Sequence, residues 1–362
     1  MGDKINAAVI GLGVGFAHAE GYLACPDANL VAVCDADPVR LKQRGDKLGI
    51  PAEMQFTDMN KMLALPDLDA VSIGLPNFLH APAAIAAFQA GKHVLCEKPL
   101  ATSAAEAETM LVAAQAAGKT LMVCFNYRFR EDARWLKNLE ATGQFGKLYF
   151  ARSGWCRNSG IPGMGSWFTQ KAMAGGGPLI DLGVHILDLT LWLMGYPKVT
   201  SVSGATFSEF GPRGMKTFAG GTRLAPAGVK FDVEDLAAGF IRFENGSALS
   251  IETSWGSHTK PGKDDYYVTL FGSEGGSELY VANYIDRDTV SFFTEKGGSP
   301  VTVRPNIVTR GGGHALAVNH FVECLQQGKQ PEASGEQGLA LMKIIDALYE
   351  SARTGHEVQV IS

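Results

Sequence analysis

The sequence predicts an α/β protein in which a doubly wound parallel sheet precedes a second α/β domain with a large, mostly antiparallel open sheet. Over the first 125 residues, short apolar runs alternate with helix-like segments, which is typical of parallel strands joined by right-handed crossovers. After about residue 125, runs of alternating apolar and polar residues replace that rhythm. The length of 362 residues corresponds to about two domains at ~150 residues each.

The elements of the first part follow from the positions of its apolar runs. Gly91 and Gly118 follow two of the helical segments, where a left-handed residue ends a helix. Short strands are predicted at residues 5–10, 30–34, 70–73, 93–96 and 120–124. Helices are predicted at residues 16–25, 38–47, 79–90 and 103–117.

In the second part, one apolar helix at 178–194 precedes several strand-like runs, and Glu244-Asn-Gly246 is a hairpin turn between two of them. Residues 209–230 are predicted to form a loop. The strands are predicted at 198–207, 237–243, 248–255 and 266–271, and two closing helices at 314–327 and 336–354. The predicted domains are therefore 1–125 and 126–362.

Composition excludes several classes of protein. The chain has 32 Lys+Arg against 37 Asp+Glu, a net charge of −5, so it lacks the basic field that holds nucleic acid. Its six cysteines form no C-x-x-C pair, and buried reduced thiols are expected. There is no leader-type apolar core and no apolar run of about 18 residues. We expect a cytoplasmic protein with no nucleic-acid or membrane partner and no metal site.

A glycine-rich turn follows the first predicted strand. Glycine makes up 43 of the 362 residues, against a usual ~7 %. Gly11-Leu-Gly13-Val-Gly15 stands between a strand and a helix, where backbone N–H groups and the helix N-terminus can face a pyrophosphate. Phe16 occupies the position of the usual third glycine, which comes one residue early here.

An acid at the end of the second strand supports a dinucleotide site. Asp35 lies 20 residues after Gly15, the position of a carboxylate that accepts from the adenosine ribose hydroxyls. Ala36, Asp37 and Pro38 follow it, so no adjacent cation neutralises a 2′-phosphate. The sequence therefore favours NAD over NADP and predicts a Rossmann domain at 1–125. The alternative is a plain glycine turn with a capping aspartate.

Two further segments carry polar groups where apolar ones would be expected. Lys98 follows the fourth strand, at the sheet edge where ligands bind. In the apolar helix Asp181 and His185 share a face at i, i+4, and Asp188 follows three residues later. Buried polar groups without partners are costly, so a polar pocket is predicted. Zinc ligation by Asp181 and His185 is the alternative, but no spacing provides a third ligand.

These residues carry a resemblance to the glucose-fructose oxidoreductase/inositol dehydrogenase (Gfo/Idh/MocA) family, and the similarity runs nearly end to end. The matching segments are the glycine loop, Leu75-Pro-Asn77 with His80, Glu97-Lys98-Pro99, Asn126-Tyr-Arg128-Phe, Trp167, Gly175-Gly-Gly177 with Asp181 and His185, Val233-Glu-Asp235, and Gly246 before a strand that ends in Ser254-Trp255.

The resemblance implies a catalytic group of Lys98, Asp181 and His185. Histidine has an unperturbed pKa near ~6.5 and is a natural general base for a hydroxyl proton, while a lysine favours alkoxide character on the same oxygen. With the glycine loop and Asp35, it implies cofactor contacts from Gly11, Gly13, Val14, Gly15, Phe16, Asp35, Pro76, Asn77, His80, Glu97, Lys98 and Trp167.

The implied substrate contacts depart from the family's inositol enzymes. Those tend to place His and Asn where this chain has Trp155 and Arg157. Tryptophan suits an apolar sugar face, and arginine suits a carboxylate or ring oxygens, so a sugar, sugar acid or related cyclitol is expected. The full predicted set is Lys98, Arg128, Trp155, Arg157, Asp181, His185 and Asp188.

The sequence thus predicts an NAD-dependent dehydrogenase that oxidises a secondary hydroxyl, and the resemblance implies a homodimer or homotetramer formed through the open sheet face. One alternative is a glycosidase-like enzyme that keeps NAD tightly bound for transient oxidation. Another is a non-catalytic dinucleotide-binding regulator, which would have no use for the proton chemistry of Lys98, Asp181 and His185.

Overall fold

The computed structural model describes residues 4–218, 230–309 and 313–360, so residues 219–229 of the predicted loop at 209–230 lie outside the described residues. The chain divides into two compact units. The first comprises Met1–Asn126 and Gly313–Met342, and the second comprises Tyr127–Gly312 and Lys343–Ser362. The predicted boundary between residues 125 and 126 lies beside the first junction, whereas the division made from the sequence gives Gly313–Met342 to the second domain.

The strands in chain order are β1 (Ile5–Ile10), β2 (Ala28–Cys34), β3 (Gln55–Phe56), β4 (Ala70–Ile73), β5 (His93–Cys96), β6 (Leu121–Val123), β7 (Leu148–Arg157), β8 (Val199–Phe207), β9 (Leu236–Phe243), β10 (Ala248–Ser254), β11 (Asp264–Gly272), β12 (Gly275–Ala282), β13 (Val290–Lys296), β14 (Ser299–Val303) and β15 (Val358–Gln359).

The helices are α1 (Gly15–Ala24), α2 (Pro38–Lys47), α3 (Met59–Leu63), α4 (His80–Gln89), α5 (Ala104–Ala117), α6 (Glu131–Ala141), α7 (Lys171–Ala174), α8 (Val184–Leu193), α9 (His314–Gln327) and α10 (Gly335–Thr354). Within the described residues, none of these helices has both the length and the apolar character needed to cross a membrane.

A six-stranded parallel sheet forms the centre of the first unit. Its strand order is β3-β2-β1-β4-β5-β6, and every pairing is parallel. The chain starts at β1, moves outward through β2 and β3, and then returns to the other side of β1 at β4. In such sheets ligands bind beyond the carboxyl ends of the strands at this reversal. The predicted doubly wound fold is confirmed.

The segment Gly313–Met342 belongs to the first unit because α9 packs on α1. A Cβ added to Gly21 would lie 3.2 Å from the Cα of Ala315 and 3.2 Å from the Cβ of Val318. The two helices therefore approach more closely than a larger residue at position 21 would allow. This contact links positions almost 300 residues apart, which no local pattern in the sequence indicates.

A nine-stranded sheet forms the second unit, in the order β14-β13-β12-β11-β7-β10-β9-β8-β15. All its pairings are antiparallel except β7 with β10, which confirms the predicted, mostly antiparallel sheet. Helix α8 packs on β7 and β11. The opposite face, called the open face below, carries the exposed Arg152 and the half-buried Tyr267.

The structure differs from the predicted elements in several respects. The sequence did not predict β3, α3, α6, α7 or β15. A π-helical turn, Leu179–Gly183, precedes α8 where one continuous helix was predicted at 178–194. Strands β12 to β14 were not predicted, because β12 begins with Gly275-Gly276, which disfavour a strand. Gly297 and Gly298 both have positive φ (58° and 76°), as a two-residue hairpin turn between β13 and β14 requires.

Candidate functional site

The glycine turn between β1 and α1 uses its three glycines differently. Gly11 has φ of 86°, and a Cβ on it would lie 2.6 Å from the carbonyl oxygen of Gly74. A Cβ on Gly15 would lie 2.9 Å from Cγ1 of Val9. A Cβ on Gly13 would meet only one atom, 4.0 Å away. Packing therefore requires Gly11 and Gly15, whereas Gly13 leaves open space that fits a ligand lying close to the backbone.

The start of α1 offers donors to an anion. Val14 is its N-cap and is 45 % exposed. The N–H groups of Phe16 and Ala17 already donate to the carbonyl oxygens of Gly13 and Val14, so an anion here would be met by the N–H groups that precede Phe16. Arg44 donates to the loop carbonyls of Leu12 and Gly13. The Phe16 ring, at the place of the usual third glycine, packs beneath the guanidinium of Arg44 at 5.0 Å. Arg44, which belongs to α2, therefore holds the glycine loop in place.

Asp35 lies at the carboxyl end of β2 beside the glycine turn. Its Oδ2 accepts from the N–H of Leu12 at 2.8 Å, and its Oδ1 accepts from the N–H of Asp37 at 2.9 Å. Nη1 of Arg40 lies 3.3 Å from Oδ2. The sequence shows no cation directly after Asp35, but the first turn of α2 brings Arg40 back to it, so a cation is closer to this carboxylate than the sequence indicates.

The segment after β4 is fastened by His80. One ring nitrogen of His80 faces the carbonyl oxygen of Leu75 at 2.8 Å, and the other faces that of Pro99 at 2.8 Å. Burial lowers the pKa of His80, and these backbone hydrogen bonds act in the opposite direction. Asn77 is buried and Pro76 is half-buried. The predicted cofactor residue His80 therefore joins the loop after β4 to the loop after β5.

Glu97 is buried at the end of β5 among two imidazoles. His18 Nε2 donates to Oε1 of Glu97 at 2.7 Å, and His314 Nε2 lies 3.4 Å from the same oxygen. Oε2 accepts from the backbone N–H of Lys98 at 3.1 Å. Burial alone would raise the pKa of Glu97, but the two imidazoles hold it well below its usual range. This contact orients the Glu97-Lys98 segment, whose next peptide bond, Lys98-Pro99, is cis.

The thiol of Cys124 completes a set of four donor atoms with His18, Glu97 and His314, all within 4.8 Å of one another. Two ligands on one tetrahedral zinc ion lie about 3.3 Å apart. The separation of 2.7 Å between His18 and Glu97 is that of a charge-assisted hydrogen bond. The geometry is therefore that of a hydrogen-bonded cluster.

Asp181 and His185 stand out in the helical stretch of the second unit. Within Leu179–Leu193 these two are half-buried and every other residue is buried. Asp181 lies in the π-helical turn and His185 in the first turn of α8. The predicted i, i+4 pair therefore lies at the edge of the helix that reaches solvent.

Backbone contacts fix the entry to this turn. Gly175 has φ of 87°, and Cβ atoms on Gly176 and Gly177 would collide with the hydroxyl of Tyr349 and with the carbonyl oxygen of Glu234. The Glu234 carboxylate accepts from the N–H groups of Gly177 at 2.9 Å and Leu179 at 3.1 Å, and from the Tyr349 hydroxyl at 2.8 Å. Glu234 thus caps the turn that carries Asp181.

Tryptophan and tyrosine rings surround the pair. Trp255 Nε1 donates to Oδ2 of Asp181 at 2.9 Å. The His185 ring lies 4.8 Å from the Tyr127 ring and 5.8 Å from the Trp155 ring. Tyr266 stacks on Tyr127 at 5.2 Å. This aromatic wall of Tyr127, Trp155 and Tyr266 excludes water from one side of His185. Trp155 and Tyr266 are buried and Tyr127 is half-buried, so the accessible apolar surface of the wall belongs to Tyr127.

Arg157, beside the wall, has a partner within the protein. Its Nε lies 3.0 Å from the Asp264 carboxylate, and its Nη2 donates to the Tyr284 hydroxyl at 2.8 Å.

Arg128 and Asp188 pair with each other and with Tyr196. Arg128 Nε and Nη2 donate to the two carboxylate oxygens of Asp188 at 2.9 and 2.5 Å. The Tyr196 hydroxyl also donates to Asp188, at 2.5 Å. The side chains of Arg128 and Asp188 are 0 % and 1 % exposed. Their contact with a substrate stays a prediction, and this geometry favours a supporting role beneath α8.

Lys98 and Trp167 complete the predicted set. Lys98 is half-buried in the first unit, whereas Asp181 and His185 belong to the second. The Trp167 ring is half-buried and stacks on Phe168 at 3.8 Å. Neither placement tests the roles predicted for these two side chains.

Several residues at these sites received no role from the sequence, among them Glu234, Trp255, Asp264 and Tyr284. Glu234 and Trp255 stand in motifs that carried the family resemblance, so an acid between apolar residues and a strand-ending tryptophan could have indicated them. Asp264 reaches Trp155 across 109 positions of sequence. Only the pairing of β7 with β11 brings them together.

Comparison with known proteins decides the family. The model described as "Oxidoreductase family, NAD-binding Rossmann fold" matches residues 5–125, and the model described as "Oxidoreductase family, C-terminal alpha/beta domain" matches residues 137–360. The chain belongs to the Gfo/Idh/MocA family. The predicted resemblance is thereby confirmed for both domains.

Relatives within the Gfo/Idh/MocA family include sugar dehydrogenases. D-glucoside 3-dehydrogenase of Escherichia coli K12 is 32 % identical over 360 residues, covering 99 % of this chain and 98 % of the relative. Levoglucosan dehydrogenase of Pseudarthrobacter phenanthrenivorans is 30 % identical, covering 97 % and 96 %. A solved levoglucosan dehydrogenase complex with NADH and levoglucosan superposes with a TM-score of 0.84 at 27 % identity, covering 99 % and 100 %.

The chain is therefore an oxidoreductase with an NAD-binding Rossmann domain, and its relatives include dehydrogenases of sugars and inositols. The structure adds a glycine turn with open space at Gly13 and an Asp181–His185 pair beside aromatic rings.

Proposed function

We propose that the protein is an NAD-dependent dehydrogenase that oxidises a secondary hydroxyl of a sugar, sugar acid or cyclitol, with Lys98, Asp181 and His185 as its catalytic group. The observation that carries this proposal is the Asp181–His185 pair, half-buried in an otherwise buried helical stretch and flanked by aromatic rings. Sugars present an apolar face that packs on such rings and hydroxyls that need polar partners.

Each member of the group has a role that its surroundings allow. His185 accepts the hydroxyl proton as general base. Asp181, held by the indole N–H of Trp255, binds the substrate or orients the imidazole. Lys98, whose backbone is held by Glu97, stabilises negative charge on the reacting oxygen. NAD, when bound, supplies the nicotinamide ring that accepts hydride.

NAD is the preferred cofactor in this proposal. Asp35 holds its carboxylate with two backbone N–H groups and is 5 % exposed. A ribose diol can donate to that carboxylate, whereas a 2′-phosphate would meet its negative charge at close range. Arg40 offsets part of this repulsion but is itself paired with Asp35 and Asp37.

A screen of NADH formation at 340 nm tests the proposed function. Monosaccharides, glycosides, anhydrosugars, sugar acids and inositols are each supplied with NAD or with NADP. We expect at least one of them to be oxidised, with the larger kcat/KM for NAD. A larger kcat/KM with NADP would contradict the role of Asp35. Cofactor that survives gel filtration, with no NADH from any compound, would favour the transient-oxidation enzyme.

Gly13 provides a direct test of the cofactor site. Gly13→Ala adds a methyl group that meets no protein atom closer than 4.0 Å, so we expect an unchanged melting temperature. Because the methyl group occupies space beside the loop backbone, KM for NAD should rise by about tenfold or more, equivalent to ~1.4 kcal/mol. Steady-state kinetics and a thermal melt measure both quantities.

The matched control is Gly11→Ala, where the methyl group would meet Gly74 and the backbone is left-handed. This variant should lose stability as well as cofactor affinity. Wild-type KM for NAD in Gly13→Ala would mean that the cofactor does not approach this turn.

We also propose that the open face of the second unit's sheet pairs with another copy, giving a homodimer or homotetramer. The rings of Phe150, Phe240 and Phe271 cluster there with centroids 5.5 and 6.4 Å apart. All three are half-buried, and apolar clusters that stay partly accessible are typical of protein contacts. Light scattering in solution measures the assembly, and a monomer at micromolar concentration would contradict it.

A further inference from the structure

Asp264 holds both residues that were predicted to contact the substrate from β7. Its Oδ1 accepts from Trp155 Nε1 at 2.7 Å and from Arg157 Nε at 3.0 Å, and Oδ2 lies 3.0 Å from the same Nε. The pairing of Asp264 on β11 with Arg157 on β7 brings the three side chains together. One carboxylate therefore fixes the Trp155 ring, 5.8 Å from His185, and the neighbouring guanidinium.

Arg157 is enclosed as well as paired. Its side chain is 7 % exposed, with the rings of Trp155 and Phe218 at 5.4 and 4.9 Å. Burial disfavours its charged form, yet Tyr284, Asp264 and Asp181 together raise the pKa of Arg157. The guanidinium is therefore charged and already has a carboxylate partner within the protein.

The wider charge around the aromatic wall is negative. Arg130, 5.9 Å from the Tyr127 ring, is likewise paired with Asp132 at 2.9 Å and Asp286 at 3.3 Å. Two guanidinium groups therefore face four carboxylates here: Asp132, Asp181, Asp264 and Asp286. The two arginines are already paired with carboxylates of the protein. A substrate carboxylate at this place would therefore be repelled by those carboxylates, since like charges at close range are costly.

We infer that Asp264 is a specificity-determining residue: it supplies the carboxylate that Arg157 would otherwise take from a substrate, and so selects uncharged sugars over sugar acids. This inference rests on the proposed function and narrows its substrate class. Arg157, held in this pair, offers an uncharged ring or hydroxyl oxygen at most the N–H groups that Asp264 and Tyr284 do not use, and Trp155, which is buried, is kept at a fixed angle beside His185.

The experiment compares kcat/KM, at saturating NAD, for each uncharged sugar that yields NADH and for its C6 uronate. Wild type should prefer the uncharged sugar by about a hundredfold. Asp264→Asn should lower this ratio by at least about tenfold, chiefly through a lower KM for the uronate, because the amide leaves Arg157 without its carboxylate partner. The control Glu357→Gln removes the carboxylate from another arginine pair of the same unit, Arg242–Glu357, and should leave the ratio unchanged.

A second variant keeps the inference testable if Asp264→Asn does not fold. Tyr284→Phe removes only the hydroxyl that accepts from Arg157, on a ring that is 50 % exposed, and should shift the ratio in the same direction by less. Equal or better use of the uronate by wild type, or an unchanged ratio in both variants, would overturn the inference and leave the dehydrogenase intact. If wild type oxidises neither member of any pair, the proposed function fails and the inference fails with it.

Discussion

Replacement of His185 by alanine is expected to lower kcat by about 10²–10⁴-fold, the range found when a general base is removed. The imidazole is half-buried at the solvent-reaching edge of α8, with aromatic rings on one side. Without it, the hydroxyl proton has no positioned acceptor. Lys98→Met should produce a loss of similar size because charge on the reacting oxygen is no longer stabilised. Initial rates of NADH formation measure both.

The affinity for the cofactor should be nearly unchanged in these two variants, as measured by titration of NADH fluorescence. The matched control is His356→Ala, which removes an exposed histidine of the same unit and should keep wild-type kcat. Turnover near wild type in either His185→Ala or Lys98→Met would remove that residue from the catalytic group.

The second large effect concerns stability. Asp188→Ala leaves the guanidinium of Arg128 buried without its carboxylate, and removing one partner of a buried ion pair costs about 3–5 kcal/mol. At roughly 2–4 °C per kcal/mol for a unit of this size, the melting temperature of the second unit should fall by roughly 10 °C. Thermal melts followed by circular dichroism measure the change.

Two comparisons make the stability prediction specific. Glu350→Ala breaks the exposed pair Arg353–Glu350 of the same unit and should leave the melting temperature unchanged, since exposed pairs contribute little. The double variant Arg128→Met/Asp188→Leu removes both buried charges and should recover much of the loss. An unchanged melting temperature in Asp188→Ala would show that the pair does not support α8.

Local patterns were sufficient to predict most elements of the first unit, although β3 and α3 were missed. The glycine turn, Asp35 and the helix at 38–47 each depend on neighbouring residues, and the structure reproduces that helix with Pro38 in its first turn and Asp37 as its N-cap. Arg40 was missed beside Asp35 because one helical turn, rather than sequence adjacency, brings it back to the strand end. The place of α9 in the first unit depends on its packing against Gly21.

In the second unit the sequence predicted the pair Asp181 and His185 but not what holds it. Glu234 precedes β9, Trp255 follows β10, and Asp264, which holds the neighbouring Trp155 and Arg157, begins β11. The arrangement of the sheet, rather than any local pattern, therefore brings them into place. For the same reason, Arg128 and Asp188, predicted as separate substrate contacts, proved to be partners of each other across 60 positions.

The most direct test of the proposed dehydrogenase is the stoichiometry of the reaction in one vessel. Wild-type protein is incubated with an uncharged sugar and NAD. The NADH formed is measured at 340 nm, and the mass of the sugar product is determined by mass spectrometry. We expect one NADH for each sugar molecule that loses two hydrogen atoms. Consumption or cleavage of the sugar without net NADH would contradict it.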